Sequence, residues 1–103
     1  MHFDEVLFRS ALADVELLNA GCLEEFVFSV DSRSVTSKEV FVALKGAKVD
    51  GHDFLEQALN NGAVGLMIER SKKDKLNSID SSILKSKLII LVEDTFEALI
   101  LLA

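Results

Sequence analysis

Residues 31–63 read DSRSVTSKEVFVALKGAKVDGHDFLEQALNNGA. Within this stretch a short, continuous apolar run, Val40 to Leu44, leads into a polar loop bounded by Gly46 and Gly51. A strand with no polar alternation is one that a sheet buries on both faces, the habit of parallel sheets in α/β proteins. Glycines just beyond such a strand let the backbone turn sharply and approach a ligand closely, and α/β domains place their clefts at these carboxyl ends. After the loop, Phe54, Leu55, Ala58 and Leu59 share one face of a helix. Asp53 with Glu56 has the spacing of a capping box and predicts a helix start at Asp53, while Gly62 predicts its stop.

Downstream, Ala63 to Ile68 and Leu88 to Val92 are two further continuous apolar runs and predict interior strands. Between them, residues 71–82 are rich in Lys, Asp, Asn and Ser and predict a surface excursion or a ragged helix. Asp94 with Glu97 repeats the capping-box spacing, and Phe96, Leu99, Ile100 and Ala103 continue as a helix. Upstream, Phe26, Phe28 and Val30 alternate with Val27, Ser29 and Asp31, which predicts a strand leaving the core at Asp31. Asn19-Ala20-Gly21 marks a turn. Phe3, Val6, Leu7 and Ser10-Ala11 recur at helical spacing and predict a first helix over about the first dozen residues, with Leu17 and Leu18 continuing the apolar content. The sum is a small α/β domain, a few-stranded sheet with flanking helices. The chain stops inside an apolar helical run, Ile100-Leu101-Leu102-Ala103, without a polar or glycine cap, which predicts a fragment of a longer protein.

The 103 residues make one domain, residues 1–103, too small for a multi-site enzyme. Half of them are hydrophobic and 27% are charged, the balance of a folded globular chain. A net charge of -6 argues against non-specific binding to nucleic acid or to an anionic membrane, both of which need a basic surface. Cys22 stands alone, so no intramolecular disulfide and no cysteine zinc site is available, and a reducing, cytoplasmic setting fits. His2 and His52 are too few and too far apart to suggest a metal cage. No apolar run approaches the roughly 18 residues of a membrane span, and Asp4, Glu5 and Arg9 interrupt any signal-peptide core. The chain has no proline where about five are expected, and nothing in the sequence explains it.

The residues able to carry chemistry each admit a plain structural reading beside a functional one. Gly46 to Asp53 has glycines near the spacing of a phosphate-binding P-loop, but His52 and Asp53 stand where that loop needs Lys and a hydroxyl. Asp53 would also compete with a phosphate at the helix start. The loop is either a tight turn or a surface whose backbone reads a planar base, with Lys45 or Lys48 near a diphosphate. Asp31-Ser32-Arg33 is either a local Asx turn with a solvated or salt-bridged arginine, or a strand end that offers a hydroxyl to a ligand. His52 reads more simply as a structural histidine beside a helix start than as an acid–base group. Lys72, Lys73 and Lys75, with Asp74 among them, read as a solvated loop. No catalytic residue and no metal ligand set emerges.

Taken together, the motifs resemble the amino-terminal domain of the Mur ligases, the ATP-dependent enzymes that extend the peptidoglycan stem peptide. The resemblance rests on Asp31-Ser32-Arg33, the Phe41–Gly46 strand, Asp50-Gly51-His52-Asp53-Phe54, the Gly62-Ala63 step into an apolar strand, and Val92-Glu93-Asp94-Thr95 before the last helix. It spans about residues 26–103 and departs at Lys38-Glu39, where the family often has a glycine. Within the family the chain most resembles the type that adds D-alanyl-D-alanine (MurF). The type that adds the third stem residue, diaminopimelate or lysine (MurE), comes second. The resemblance implies a ligand, the UDP portion of a UDP-N-acetylmuramoyl peptide. Carried over by position, Val30 and Ser32 contact the uridine end, and Ala47, Lys48 and Val49, after Gly46, line the base or ribose. Lys45 and Arg33 are electrostatic candidates near the diphosphate. ATP and Mg2+ would belong to the parent enzyme's other domains, its own partners here, so this chain is expected to hold no cofactor and to bind without catalysing. The rival reading of another class is a non-enzymatic α/β interaction module whose acidic surface meets a protein.

Overall fold

The three continuous apolar runs form the middle of a single five-stranded sheet. The computed structural model describes residues 15–19, 27–35 and 39–102, so the helix expected over the first dozen residues lies outside it. Its strands are β1 (Glu16–Leu18), β2 (Val27–Ser29), β3 (Glu39–Val42), β4 (Gly65–Glu69) and β5 (Leu88–Val92), and its helices are α1 (Leu55–Asn60), α2 (Ser81–Leu84) and α3 (Thr95–Leu102). Two 3-10 segments, Gly51–Phe54 and Arg70–Ser78, precede α1 and follow β4.

The strand order is β1-β5-β4-β3-β2. Strands β2 to β5 run parallel, with Val40 opposite Gly65 and Leu66 opposite Ile89, whereas β1 is antiparallel to β5. Alternate residues of each central strand enter opposite cores. Phe41, Leu66, Ile68, Ile89 and Leu91 pack against Leu55, Ala58 and Leu59 of α1 and against Leu76 and Ile79. Val40, Val42, Met67, Leu88 and Ile90 pack against Ala98 and Leu99 on α3. Each fully buried aliphatic side chain contributes on the order of 1.5–3 kcal/mol of transfer free energy, so this double-sided burial is what selects parallel strands from the apolar runs.

Several local expectations change. The strand β1 replaces the mere apolar continuation read at Leu17 and Leu18. It has three half-buried residues, one of them Glu16, and so carries no periodic signal. Asp53 does not cap α1. The capping side chain is Asp50, which accepts the His52 amide at the start of the 3-10 turn, and Phe54 precedes α1 without a side-chain cap. The second capping-box expectation holds at its first half, for Asp94 Oδ1 accepts the Glu97 amide at 3.0 Å. Gly62 ends α1 with φ 106°, a left-handed conformation that favours glycine. The 71–82 stretch is an ordered 3-10 excursion and the start of α2. Its lysines are paired: Lys75 Nζ lies 2.6 Å from Asp53, Lys73 3.8 Å from Glu16 and Lys72 3.9 Å from Asp50.

Candidate functional site

Because β2 and β3 are parallel neighbours, the segments leaving their carboxyl ends emerge side by side. The segment after β2 is the Asp31–Ser34 turn. Asp31 Oδ1 accepts the Arg33 amide at 2.9 Å and its Nε at 3.3 Å, and the Asp31 carbonyl accepts the Ser34 amide. The Arg33 amide, then its guanidinium, hold the Asp31 carboxyl below its ordinary value. Arg33 remains 81% exposed at the rim. Ser32 points inward and is buried.

The segment after β3 is a hairpin. Lys45 bridges Asp50, the Gly46 amide donates to the Val49 carbonyl and the Gly51 amide to the Leu44 carbonyl, both at 2.8 Å. The tight-turn reading of this loop is therefore correct as geometry. A Cβ at Gly51 would lie 2.8 Å from the Leu44 nitrogen and 3.1 Å from the Ala43 Cα, so the close approach requires glycine. The hairpin is tied to the sheet at both ends. Thr95, buried at the start of α3, donates its hydroxyl to the Ala43 carbonyl at 2.7 Å. His52, also buried, has Nδ1 2.6 Å from Asp50 Oδ1 while Nε2 accepts the Glu69 amide at 3.0 Å. Burial pushes the Asp50 carboxyl up. The hydrogen bonds from the His52 amide and ring and the nearby Lys72 charge outweigh it and hold the group below its ordinary value.

Between turn and hairpin lies an open cleft of about 490 Å³. Val30, Ser32 and Arg33 line one side, Gly46, Val49 and Gly51 the other, with Phe41 and Leu44 also in its walls. Asp31, Phe54 and Gln57 complete it. Of the residues singled out from sequence, Val30, Ser32, Arg33, Gly46 and Val49 thus come together around one space. Lys45, Ala47 and Lys48 are exposed on the same hairpin but do not line the cleft.

Val30 and Val49 are each more than half exposed, and Phe54 is 37% exposed. Expected among the core residues of α1, Phe54 instead offers an aromatic ring at the cleft, since the 3-10 turn displaces it from the helix face. Gln57 was missed for a different reason: on a short amphipathic helix it reads as one more solvated polar residue. Its Oε1 accepts the Ser32 hydroxyl at 2.7 Å, and Asn61, one turn on, donates Nδ2 to the Ser32 carbonyl at 2.7 Å. Only the i, i+4 spacing of Gln57 and Asn61 signals a shared task.

The lining combines apolar surface, the Phe41 and Phe54 rings, the Ser32 hydroxyl, the Gln57 amide and, at the rim, the Arg33 guanidinium paired with the Asp31 carboxylate. That composition suits a planar, partly polar ring with an anionic extension. It holds no nucleophile beside a base, for the Ser32 proton goes to an amide and His52 faces away, beside a second depression of about 370 Å³ with Asp53 and Lys75. Among the described residues no three His, Cys, Asp or Glu side chains gather as a metal site, and no helix is long and apolar enough to cross a membrane.

A family model described as "Mur ligase family, catalytic domain" matches residues 27–100. Among curated proteins the chain is 49% identical over 71 residues to a UDP-N-acetylmuramoyl-L-alanyl-D-glutamate--2,6-diaminopimelate ligase of Rickettsia typhi, covering 69% of this chain and 12% of that protein. It is 50% identical over 42 residues to a UDP-N-acetylmuramoyl-tripeptide--D-alanyl-D-alanine ligase of Treponema pallidum, covering 41% of this chain and 9% of the relative. The chain therefore spans about a tenth of the length of these relatives. Among solved structures, MurF from Acinetobacter baumannii superposes with a TM-score of 0.66 at 23% identity, over 99% of this chain and 20% of that one, a likeness of fold.

Proposed function

The chain belongs to the Mur ligase family, and we propose that it is the amino-terminal domain that anchors the UDP end of a UDP-N-acetylmuramoyl peptide for a cytoplasmic, cell-wall-building ligase. The observation that carries this reading is the cleft itself, in which Val30, Ser32 and Arg33 meet Gly46 and Val49 at the carboxyl ends of adjacent parallel strands. A uracil ring fits between Val49, Phe54 and the Ser32 hydroxyl, and the diphosphate extends toward Arg33, with Lys45, Lys48 and Ala47 on the hairpin closing over ribose or phosphate. Lysine and arginine both serve there, the first as a mobile point charge, the second as a fork. Binding energy gathered this far from a reacting carboxylate serves to position the other end of a long substrate. The chain on its own binds and does not ligate; ATP and Mg2+ act through the parent's other domains, which are its partners.

For the parent's amine we propose D-alanyl-D-alanine, on the Phe41–Gly46 and Val92–Thr95 motifs. The Rickettsia relative supports a second reading, diaminopimelate, at 49% identity. Phosphate release by the full-length ligase with each acceptor and its matching UDP-peptide decides between them.

The anchoring function is tested by a two-dimensional NMR titration of the 103-residue chain with UDP and with a UDP-N-acetylmuramoyl peptide. Shifts concentrated at residues 30–33 and 45–52 are expected. No shift at millimolar ligand overturns the reading and leaves the interaction-module alternative.

A further inference from the structure

Ser32 is the one cleft hydroxyl whose proton already has a destination. Its Oγ donates to Gln57 Oε1 at 2.7 Å, and its carbonyl is held by Asn61 Nδ2 at the same distance. One grip comes from within α1 and the other from its C-cap, and the helix is fixed to the core through buried Leu55, Ala58 and Leu59. The residue is 8% exposed, so the hydroxyl has little room to turn elsewhere. A serine hydroxyl carries one proton and two lone pairs. With the proton committed to Gln57, Ser32 presents only lone pairs to the cleft. Whatever meets it there must bring an N–H or O–H of its own.

We infer that Gln57 is a positioning residue that locks Ser32 as a hydrogen-bond acceptor and thereby sets the base preference of the cleft, favouring uracil over cytosine. Uracil has a single ring-edge donor, N3–H, between two carbonyls. For a base that meets Ser32 through N3, cytosine brings a bare lone pair against the Ser32 lone pair and carries its donor elsewhere, on the exocyclic N4 amine. A site that accepts a hydrogen bond at one point rejects a ligand lacking the donor at that point, because the buried acceptor is then left unpaired. This inference rests on the proposed nucleotide-anchoring function and names the atom that selects within it.

The test compares UDP and CDP affinities by NMR titration for the 103-residue chain and for Gln57→Leu, Gln57→Glu and Ser32→Ala. The unaltered chain is expected to prefer UDP by at least about tenfold. Gln57→Leu frees the hydroxyl to donate as well as accept, and the preference falls to within about threefold. Gln57→Glu keeps an acceptor for the Ser32 proton. It lowers both affinities through its added charge while preserving their ratio. Ser32→Ala collapses the ratio as Gln57→Leu does, and it stands in if the leucine variant does not fold. An unchanged ratio in Gln57→Leu, an equal loss of both affinities in it, or no preference in the unaltered chain overturns the inference while leaving UDP anchoring intact. Failure of the unaltered chain to bind either nucleotide overturns the anchoring function and the inference with it.

Discussion

His52 accepts the Glu69 amide on Nε2, so that nitrogen carries a lone pair, and the ring proton sits on Nδ1 and goes to Asp50. One imidazole thus satisfies a strand-end N–H and a carboxylate that also caps the 3-10 turn. In His52→Leu both partners lose their bond inside a buried site, and the urea midpoint should fall by the equivalent of about 2–4 kcal/mol. Asp50 gives this cluster a pH dependence. Its folded value lies below the ordinary 3.8. A carboxyl lowered by folding contributes its full stability above the unfolded value and loses it as the pH falls through the folded one. The urea midpoint should therefore drop as the pH is taken down from about 4, and Asp50→Asn should flatten that drop. Asp31 and Asp80 are lowered too, so the variant removes only part of the slope. The sequence made His52 a structural residue by default. Glu69, 17 positions on, was illegible because the bond exists only once β4 lies beside the turn.

Among the elements, the hairpin between Leu44 and Gly51 has little tolerance for a side chain at its closing glycine. The atoms nearest a Cβ at Gly51 are all backbone, of Ala43 and Leu44, and cannot rotate away. Gly51→Ala should cost about 1–3 kcal/mol and move the amide resonances of residues 44–50, since relief requires the two arms of the hairpin to part. If the resonances stay in place, the hairpin is not braced as described. The glycine was visible in the sequence as a turn signal, but its crowding against Leu44 was not. Strands fared similarly. Leu88 to Val92 matches β5 residue for residue, because a strand buried on both faces is an unbroken apolar run. The start of α1 was displaced by a turn, because Asp50 and Asp53 are both good caps and only the 3-10 geometry chooses between them. At the cleft, the turn and hairpin residues were legible from motifs, whereas Gln57 and Phe54 were not. Their roles depend on how α1 is set against the turn after β2.

Across the whole molecule, stability should be graded along the sheet. β4 and β5 are buried throughout apart from Glu69, whereas β1 is half-buried along its length and Val27 on β2 is 48% exposed. Amide exchange should accordingly be slowest at Leu66, Met67, Ile89 and Ile90, and faster by orders of magnitude in β1 and β2. Equal protection in all five strands would mean that the sheet opens only as a unit. The family resemblance foretold an α/β domain but not its mixed sheet, for the antiparallel edge is written in three residues of no particular pattern. That edge has a consequence for how the chain is made. Leu18 faces Ile89 and Glu16 faces Leu91, so the first of the described strands to leave a ribosome waits for the last of them. At about 5–20 residues per second, β1 spends several seconds in the cell without its partner. Slowing translation before residue 88 should lengthen that wait and the window for capture by chaperones, while a pause placed after β5 has cleared the exit tunnel should not.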